Sequence, residues 1–472
     1  MFRLRVCSVG LDWRSLCLGF AAVFAGSCHG QTLSSLLDLA RNSEPTYLGA
    51  KTNVAAAKAR TDQALGAMLP QLTASGNTNA NDRSYHTRGS SVPPAKDRYN
   101  SNAATINLTQ PIWRYANIVT WQQAEVAAQQ AEHQLAGAEQ ELFAKLVAAW
   151  CDLLAARDAV VFAGQQVDAT DRQWQVALRG AELGAHGEPQ VEDAKAKLDQ
   201  ALADAVAAET DVQLKRAALE QLAGSLMEVN LPYMRGTVVL ANLAQEPLAK
   251  WLTLVEEGNP NLLAALQAYE AAGAEVRKQW AGHYPTLDMV GSYGKNSQAV
   301  GGFPGQAGYD IVQGSVGLQL NIPIFSGGTQ SAKVDEALAQ KEKARLDIET
   351  ARRTALLAAK QAWYGWQAAY ARSQAGIQAI RASQSALALA RVGSDKGLKT
   401  DVEILQAEQQ WRAAQRDFRK ARYDQVVAHV KLKAAAGILT DGDVTALDAL
   451  FVRTSEEADP RLDFRTQKVA QP

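Results

Sequence analysis

The chain has 472 residues, a net charge of -1 and 7% aromatic residues. A chain so close to neutrality has no strong basic field, so its composition argues against a nucleic-acid-binding protein. The abundance of Ala, Gln, Glu, Leu and Arg favours long helices and coiled coils.

The first residues predict an export signal. Arg3, Arg5 and Arg14 precede a short apolar run that small residues follow, and this order is that of a cleaved signal peptide, residues 1–30. Cys28 leaves open that the mature chain begins with a lipid-anchored cysteine. No later apolar stretch reaches the ~20 residues of a membrane-spanning helix, so we expect a periplasmic protein, a secreted protein or a barrel in an outer membrane.

Residues 31–230 predict a first unit of helix, two strands and two helices. The expected helices cover 33–68, 115–183 and 191–223, and the expected strands cover about 70–80 and 100–112. In the second strand apolar and polar residues alternate, which gives one apolar and one polar face. The proline-free stretch 115–183 would form a helix about 100 Å long, which ordinary domains do not contain.

Residues 231–440 repeat this order, which indicates a duplication. Pro260 follows Pro45 by 215 residues, and Trp363 follows Trp150 by 213. The expected helices of the second unit cover 248–281, 329–392 and 401–436, and the expected strands cover about 285–296 and 311–323. The polar residues 441–472 predict an irregular C-terminal extension.

Four prolines stand where each unit would pass between helix and strand. Proline has no N–H to continue strand pairing, and the residue before it avoids the helical region. We therefore expect the helix–strand junctions at Pro70, Pro111, Pro285 and Pro323.

Four strands of about ten residues suit a tilted membrane-spanning strand. Four strands cannot close into a barrel, and open strand edges cannot lie in lipid. Several copies would therefore share one barrel, with twelve strands from three chains or sixteen from four. The alternation of apolar and polar residues, taken alone, is also compatible with a half-buried strand in a soluble β-sandwich.

Four stretches then resemble the TolC-like outer-membrane factor family. They read LNIPIFSGG at 320–328, LTQPIW at 108–113, MLPQLTASG at 68–76 and KGLKTDVEILQAEQQW at 396–411. The resemblance implies a mostly α, duplicated chain with a small β part. Its long helices would form a coiled-coil barrel in the periplasm, and its four strands would join a shared trimeric 12-stranded transmembrane β-barrel.

The resemblance also implies partners and a function. A homotrimer would lie in the bacterial outer membrane and contact a periplasmic adaptor and an inner-membrane ABC or proton-driven transporter. Within the family the sequence looks most similar to an outer-membrane component of type I secretion of a protein toxin, the expected cargo. Multidrug efflux is the alternative within the family, and a periplasmic coiled-coil adaptor is the alternative of another class.

Two helix breaks predict the periplasmic entrance of the channel and the surface on which the adaptor docks. The glycines that would allow these reversals are Gly184, Gly187, Gly393 and Gly397. In the family, carboxylate rings line the entrance; Glu403 matches one ring acid, Gln406 stands where a second acid is frequent, and Lys399 matches a basic linking position. The residues predicted for the entrance and its selectivity are Glu403, Asp401, Lys399, Gln406, Gln190, Glu192 and Asp193.

The sequence contains no recognisable catalytic constellation. The histidines that follow the leader are scattered and match no metal-binding spacing. We therefore expect no enzyme, no cofactor, no metal and no nucleic-acid partner.

Overall fold

A computed structural model describes residues 32–85, 95–184, 187–224, 232–234, 246–301 and 306–452. The predicted signal peptide, residues 1–30 with Cys28, lies outside the described residues, as does 453–472 of the expected C-terminal extension. The described chain is mostly helical and contains one four-stranded sheet.

The elements follow one another in the same order twice. The first series is α1 (Leu33–Ser43), α2 (Pro45–Gly66), β1 (Gln71–Tyr85), β2 (Ala95–Trp113), α3 (Tyr115–Glu182) and α4 (Glu188–Ala223). After the short strand β3 (Tyr233–Met234) come α5 (Leu248–Gly258), α6 (Pro260–Trp280), β4 (Thr286–Val300), β5 (Ala307–Asn321), α7 (Thr329–Asp395) and α8 (Asp401–Ala435). The described chain ends with α9 (Asp441–Asp448) and β6 (Phe451–Val452).

The helix that opens each series is broken, so the expectation of one continuous helix at 33–68 and at 248–281 was wrong. Each break falls just before a proline, Pro45 or Pro260, because the preceding residue avoids the helical region. Glu44 and Asn259 have extended backbones there, and their side chains accept hydrogen bonds from the N–H groups of the new first turns. The proline therefore starts α2 and α6 at the position where its missing N–H is least costly.

The four long strands form an antiparallel sheet in the order β1-β2-β4-β5. The strands have 15 to 19 residues, longer than the expected ten or so. β2 and β4 join the two series, with Leu108 opposite Gly291. The outer strands β1 and β5 are each hydrogen-bonded on one side within this sheet.

The two faces of the sheet differ in polarity. One face carries the large apolar side chains Leu72, Ile106, Leu108, Met289, Tyr293, Val316, Leu318 and Leu320. The opposite face carries mainly Thr, Ser, Asn and Gln. Val316 is 82% exposed and Leu72 is 70% exposed, so the described part of the single chain does not cover these apolar side chains.

The chain divides into two compact units. The larger unit comprises Ser43–Ala148 with Ala241–Leu439, and the other comprises Met1–Asn42, Ala149–Leu240 and Thr440–Pro472. The larger unit takes elements from both series, whereas the other unit combines α1, α4 and the later part of α3 with α9 and β6. The compact units therefore do not coincide with the sequence repeats.

In the larger unit, α5 packs against α7 and the end of α8. The buried cluster consists of Trp251, Val255, Ala355, Ala359, Ala362, Leu432 and Ala436. Gly258 and Gly437 make the close approach between the ends of α5 and α8 possible. A Cβ on Gly258 would lie 2.6 Å from the Ala436 carbonyl oxygen, and Gly437 has φ +70°.

In the other unit, the first and last described helices are joined at both ends. The N–H groups of Leu33 and Ser34 donate to the carboxylate of Asp448, with N–O distances of 2.6 and 3.0 Å. Arg41 pairs with Asp441, with Nη2 and Oδ1 2.6 Å apart. α1 and α9 are therefore antiparallel, and the expectation that the chain is irregular from residue 441 was wrong for α9.

Candidate functional site: hairpin tips and helix–sheet junctions

The tip between α7 and α8 is a tight turn held by backbone hydrogen bonds. The N–H groups of Leu398 and Lys399 donate to the carbonyl oxygen of Gly393, at 2.8 and 3.2 Å. Gly397 has φ +70°, where glycine is strongly favoured. The Lys399 stem lies against Gly393, because a Cβ there would be 2.9 Å from Lys399 Cγ. The two glycines predicted at this tip thus have different roles. Gly397 adopts a left-handed backbone conformation, and Gly393 leaves room for the Lys399 side chain.

Thr400 and Glu403 start α8 as a capping box. The Thr400 N–H donates to Glu403 Oε2 at 2.8 Å, and the Glu403 N–H donates to Thr400 Oγ1 at 3.4 Å. Lys399 Nζ lies 3.9 Å from Glu403 Oε1. The hydrogen bond from the Thr400 backbone is the largest influence on the pKa of Glu403 and lowers it below its usual value. The carboxylate that the sequence placed at the entrance is therefore also part of the helix start.

The sequence analysis missed this second task of Glu403. The signal was present, since Thr-Asp-Val-Glu at 400–403 has the spacing of a capping box. Gln406 is exposed one turn further along α8, and Leu405 beside it is buried. Asp401 begins α8, but its side chain lies outside the described residues.

The tip between α3 and α4 is built differently. Gly184 has φ +72° after the end of α3, and Gly187 is the N-cap of α4 without a side-chain hydrogen bond. Residues 185–186 lie outside the described part. Pro189 in the first turn of α4 takes a position where its missing N–H matters little.

The polar residues predicted at this tip lie on the first turns of α4. Gln190, Glu192 and Asp193 are all exposed. Asp193 Oδ2 lies 2.6 Å from Lys197 Nζ one turn later, an exposed pair of small energetic value. The structure thus brings Lys399 together with Glu403 in one unit and Asp193 together with Lys197 in the other. The role of all these residues at an entrance stays a prediction.

The predicted junction prolines lie at or near the strand ends, with one exception. Pro70 and Pro285 directly precede β1 and β4, and Pro323 follows the end of β5. Pro111 lies inside β2, opposite Asp288, and the register shifts between Pro111 and Trp113. The expectation that this proline ends the strand was wrong, because a bulge accommodates its missing N–H.

An ion pair that the sequence analysis missed ties the junction after β2 to β4. Arg114 Nε and Nη2 donate to the two carboxylate oxygens of Asp288, at 2.7 and 2.6 Å. The Asp288 side chain is 9% exposed and that of Arg114 is 41% exposed. Tyr115, which follows Arg114 in the chain, contacts Tyr284, with ring centroids 5.6 Å apart. In the second series Gly327 and Gly328, with φ +60° and +79°, turn the chain into α7.

None of the helices in the described part combines the length and the apolar character needed to cross a membrane. Within the same residues, no cluster of three or more His, Cys, Asp or Glu side chains has a metal-binding arrangement.

Comparison with known proteins relates this architecture to one family. Residues 36–225 and 251–438 match the family described as outer membrane efflux protein. The chain is 25% identical over 419 residues to outer membrane protein TolC of Vibrio cholerae, covering 89% of this chain and 93% of that protein.

Two further relatives and one solved structure bear on function and fold. The chain is 24% identical to the proteases secretion protein PrtF of Dickeya chrysanthemi, and the alignment covers 75% of this chain and 77% of PrtF. The chain is 23% identical to protein CyaE of Bordetella pertussis, and the alignment covers 87% of this chain and 84% of CyaE. Sequence identity alone therefore does not single out one of these relatives. The Campylobacter jejuni CmeC outer membrane channel shares the fold, with a TM-score of 0.70, 15% identity and coverage of 98% and 99%.

Proposed function

The chain belongs to the outer membrane efflux protein family, whose members are outer-membrane channels of secretion or efflux, and we propose that it is the passive exit duct of a machine that exports a protein. Membership of this family removes the periplasmic adaptor alternative. The proposed duct has no chemistry of its own, and its energy would come from an inner-membrane transporter.

The sheet carries this proposal. One chain provides four long strands with one apolar and one polar face, and β1 and β5 each have an outer edge. Strand edges cannot face hydrocarbon because their backbone groups would lack partners. Three copies would supply twelve strands and close the sheet, with the apolar face towards lipid and the polar face towards a water-filled lumen.

The long helices support the periplasmic half of the proposal. α3 has 68 residues and α7 has 67, about 100 Å each at 1.5 Å per residue. Helices of this length can reach from an outer membrane to partners deep in the periplasm. Their tips at Gly184–Gly187 and Gly393–Gly397 would then be the surfaces for an adaptor, and Glu403 with its neighbours would line the entrance.

Protein cargo is supported by the relative named for secretion of proteases. The name of the family favours a second candidate, efflux of small molecules. Both candidates share the same duct and differ in the partners that open it, so the cargo is decided by the machine as a whole.

Deletion of the gene in its host separates the two candidates. For protein export, we expect loss of one or more secreted proteins from the medium and unchanged sensitivity to antibiotics and detergents. Increased drug sensitivity with an unchanged set of secreted proteins would favour efflux. Purified protein that is monomeric in detergent and leaves planar bilayers impermeable would contradict the duct itself.

A further inference from the structure

The two hairpins of the sheet share one register. The strands of the second hairpin are obtained by adding 215 to the residue numbers of β1 and 212 to those of β2. These shifts convert the pair Gln71–Thr109 into the pair Thr286–Asn321, and both pairs occur. The same shifts convert the last pair of the first hairpin, Tyr85–Ala95, into Val300–Ala307, which is also present. The duplication therefore extends to individual residues over the whole length of the strands.

The long helices follow the same correspondence with a shift of 213, as Trp150 and Trp363 show. The side-chain amide of Asn117 near the start of α3 donates to the Ala67 carbonyl oxygen at 2.8 Å. Its equivalent near the start of α7, Gln330, likewise donates to a carbonyl oxygen at the end of the preceding helix. Each long helix thus has an amide side chain that donates to a backbone carbonyl near the end of its own short helix.

One contact between a helix of the first series and a helix of the second has an equivalent that the chain cannot form by itself. α3 lies against α6, where Gln123 Nε2 donates to Glu275 Oε2 at 2.9 Å. The equivalent contact would join α7 to α2, at the opposite edge of the duplicated arrangement. A single chain cannot form it, because its sheet is open between β5 and β1.

Among the residues that the structure describes, none covers the equivalent surfaces on α2 and α7. Ala274 of α6 is 1% exposed, whereas its equivalent in α2, Ala59, is exposed. Val119 of α3 is fully buried, whereas its equivalent in α7, Ala332, is exposed. The surface that α6 and α3 bury against one another within the chain is therefore open on α2 and α7.

Charge indicates which residues meet when a second copy covers these surfaces. The equivalent of Gln123 is Glu336, and the equivalent of Glu275 is Arg60. Both side chains are exposed, and their charges are opposite. We propose that Glu336 of one copy and Arg60 of the next form an ion pair that replaces the Gln123–Glu275 hydrogen bond at the interface between copies. This inference rests on the proposed oligomeric duct and specifies its interface.

The same correspondence fixes the strand register between copies. The pair Leu108–Gly291 of β2 and β4 becomes Leu320 of one copy opposite Gly76 of the next. Four residues away, Val316 would face Ala80. Cysteines at Val316 and Ala80 in one chain should form disulfide-linked oligomers on non-reducing gels, while cysteines at Val316 and Thr78 should not. Cross-linking through Thr78 instead would overturn the register.

Charge reversal tests the ion pair. Arg60→Glu and Glu336→Arg should each make the detergent-solubilised oligomer dissociate roughly tenfold faster, because like charges replace one attractive pair in every interface. The double variant should restore most of the lifetime. Lys51→Glu and Asp335→Arg are matched controls that reverse a charge outside the proposed interface. Their equivalents on α6 and α3, Leu266 and Gln122, are exposed within the chain, so they do not belong to the surface that α6 and α3 bury. Both control variants should leave the lifetime of the oligomer unchanged.

The outcomes separate this inference from the proposed duct. A wild-type protein that forms no oligomer contradicts the duct. An oligomer that tolerates both single reversals, or that the double variant fails to restore, overturns the ion pair while the duct stands.

Discussion

Removing either partner of the Arg114–Asp288 pair is expected to destabilise the folded chain, and by unequal amounts. Asp288 is nearly buried and Arg114 is 41% exposed. Arg114→Ala leaves a buried carboxylate without a cation, which costs about 3 kcal/mol. Asp288→Ala leaves a guanidinium that water can still reach, so we expect a smaller loss of about 1–2 kcal/mol.

A double variant distinguishes the net stabilisation by the Arg114–Asp288 pair from the cost of leaving one of its charges unpaired. Arg114→Met with Asp288→Leu removes both charges and keeps apolar volume, so its stability should lie within about 1 kcal/mol of wild type. Urea unfolding in detergent, followed by circular dichroism at one protein concentration, measures all of these variants.

The order of the variants is the critical result. The expected order of stability is wild type, double variant, Asp288→Ala and then Arg114→Ala. If Arg114→Ala costs no more than Asp288→Ala, the burial of the carboxylate does not govern the pair. If the double variant is as unstable as Arg114→Ala, the ion pair stabilises the junction through its attraction and the reasoning from desolvation fails.

Four further predictions concern the tip and the close approach of helices. Thr400→Ala removes the N-cap oxygen and should weaken the start of α8 by about 1 kcal/mol, measured as faster hydrogen exchange there. Glu403→Gln keeps the capping box but should lower the cation preference of the channel in planar bilayers; an unchanged reversal potential contradicts a role at the entrance. Because the pKa of Glu403 is lowered, its charge and its capping contribution persist as the pH falls through the usual carboxyl range and are lost only at lower pH, so cation preference should persist likewise. Gly437→Ala should lower the free energy of unfolding by at least about 1–2 kcal/mol, because φ is +70° and a Cβ would collide with the Gly258 carbonyl oxygen. Gly164→Ala is the control, since Gly164 lies in mid-helix with open space around it, and it should raise the free energy of unfolding by about 0.5–1 kcal/mol. Thermal unfolding measures both variants.

Periodic and repeated signals in the sequence were sufficient for most of the long elements of the fold. Alternation identified the strands, the absence of proline identified α3 and α7, and constant offsets identified the duplication. The breaks before Pro45 and Pro260 depend on the same proline rule that was applied at the junctions, so the sequence contained that signal as well. The bulge at Pro111 did not follow from the sequence, since only the pairing of β2 with β4 decides whether a strand continues past a proline.

Contacts between distant parts of the chain could not be predicted. Asp448 accepts hydrogen bonds from the start of α1, more than 400 residues earlier. Gln140 of α3 donates to the Leu439 carbonyl oxygen and accepts from its N–H, at 3.0 and 3.2 Å. No local pattern marks an aspartate or glutamine as the partner of a remote backbone, because its own helix accommodates it equally well as a solvent-exposed residue.

The duplication leaves the proposed assembly with two kinds of seam that share one geometry. Inside the chain, the bidentate Arg114–Asp288 pair reinforces the seam between β2 and β4. Between copies the equivalent positions are Ser326 and Thr73, which cannot form an ion pair. The seam between copies therefore has to obtain its specificity elsewhere, and the exposed opposite charges on α2 and α7 are placed where the shared geometry requires a contact. Because the same chain supplies both partners of that pair, a wrong register would separate each charge from its counterpart, so the charges would select the correct neighbour as well as hold it.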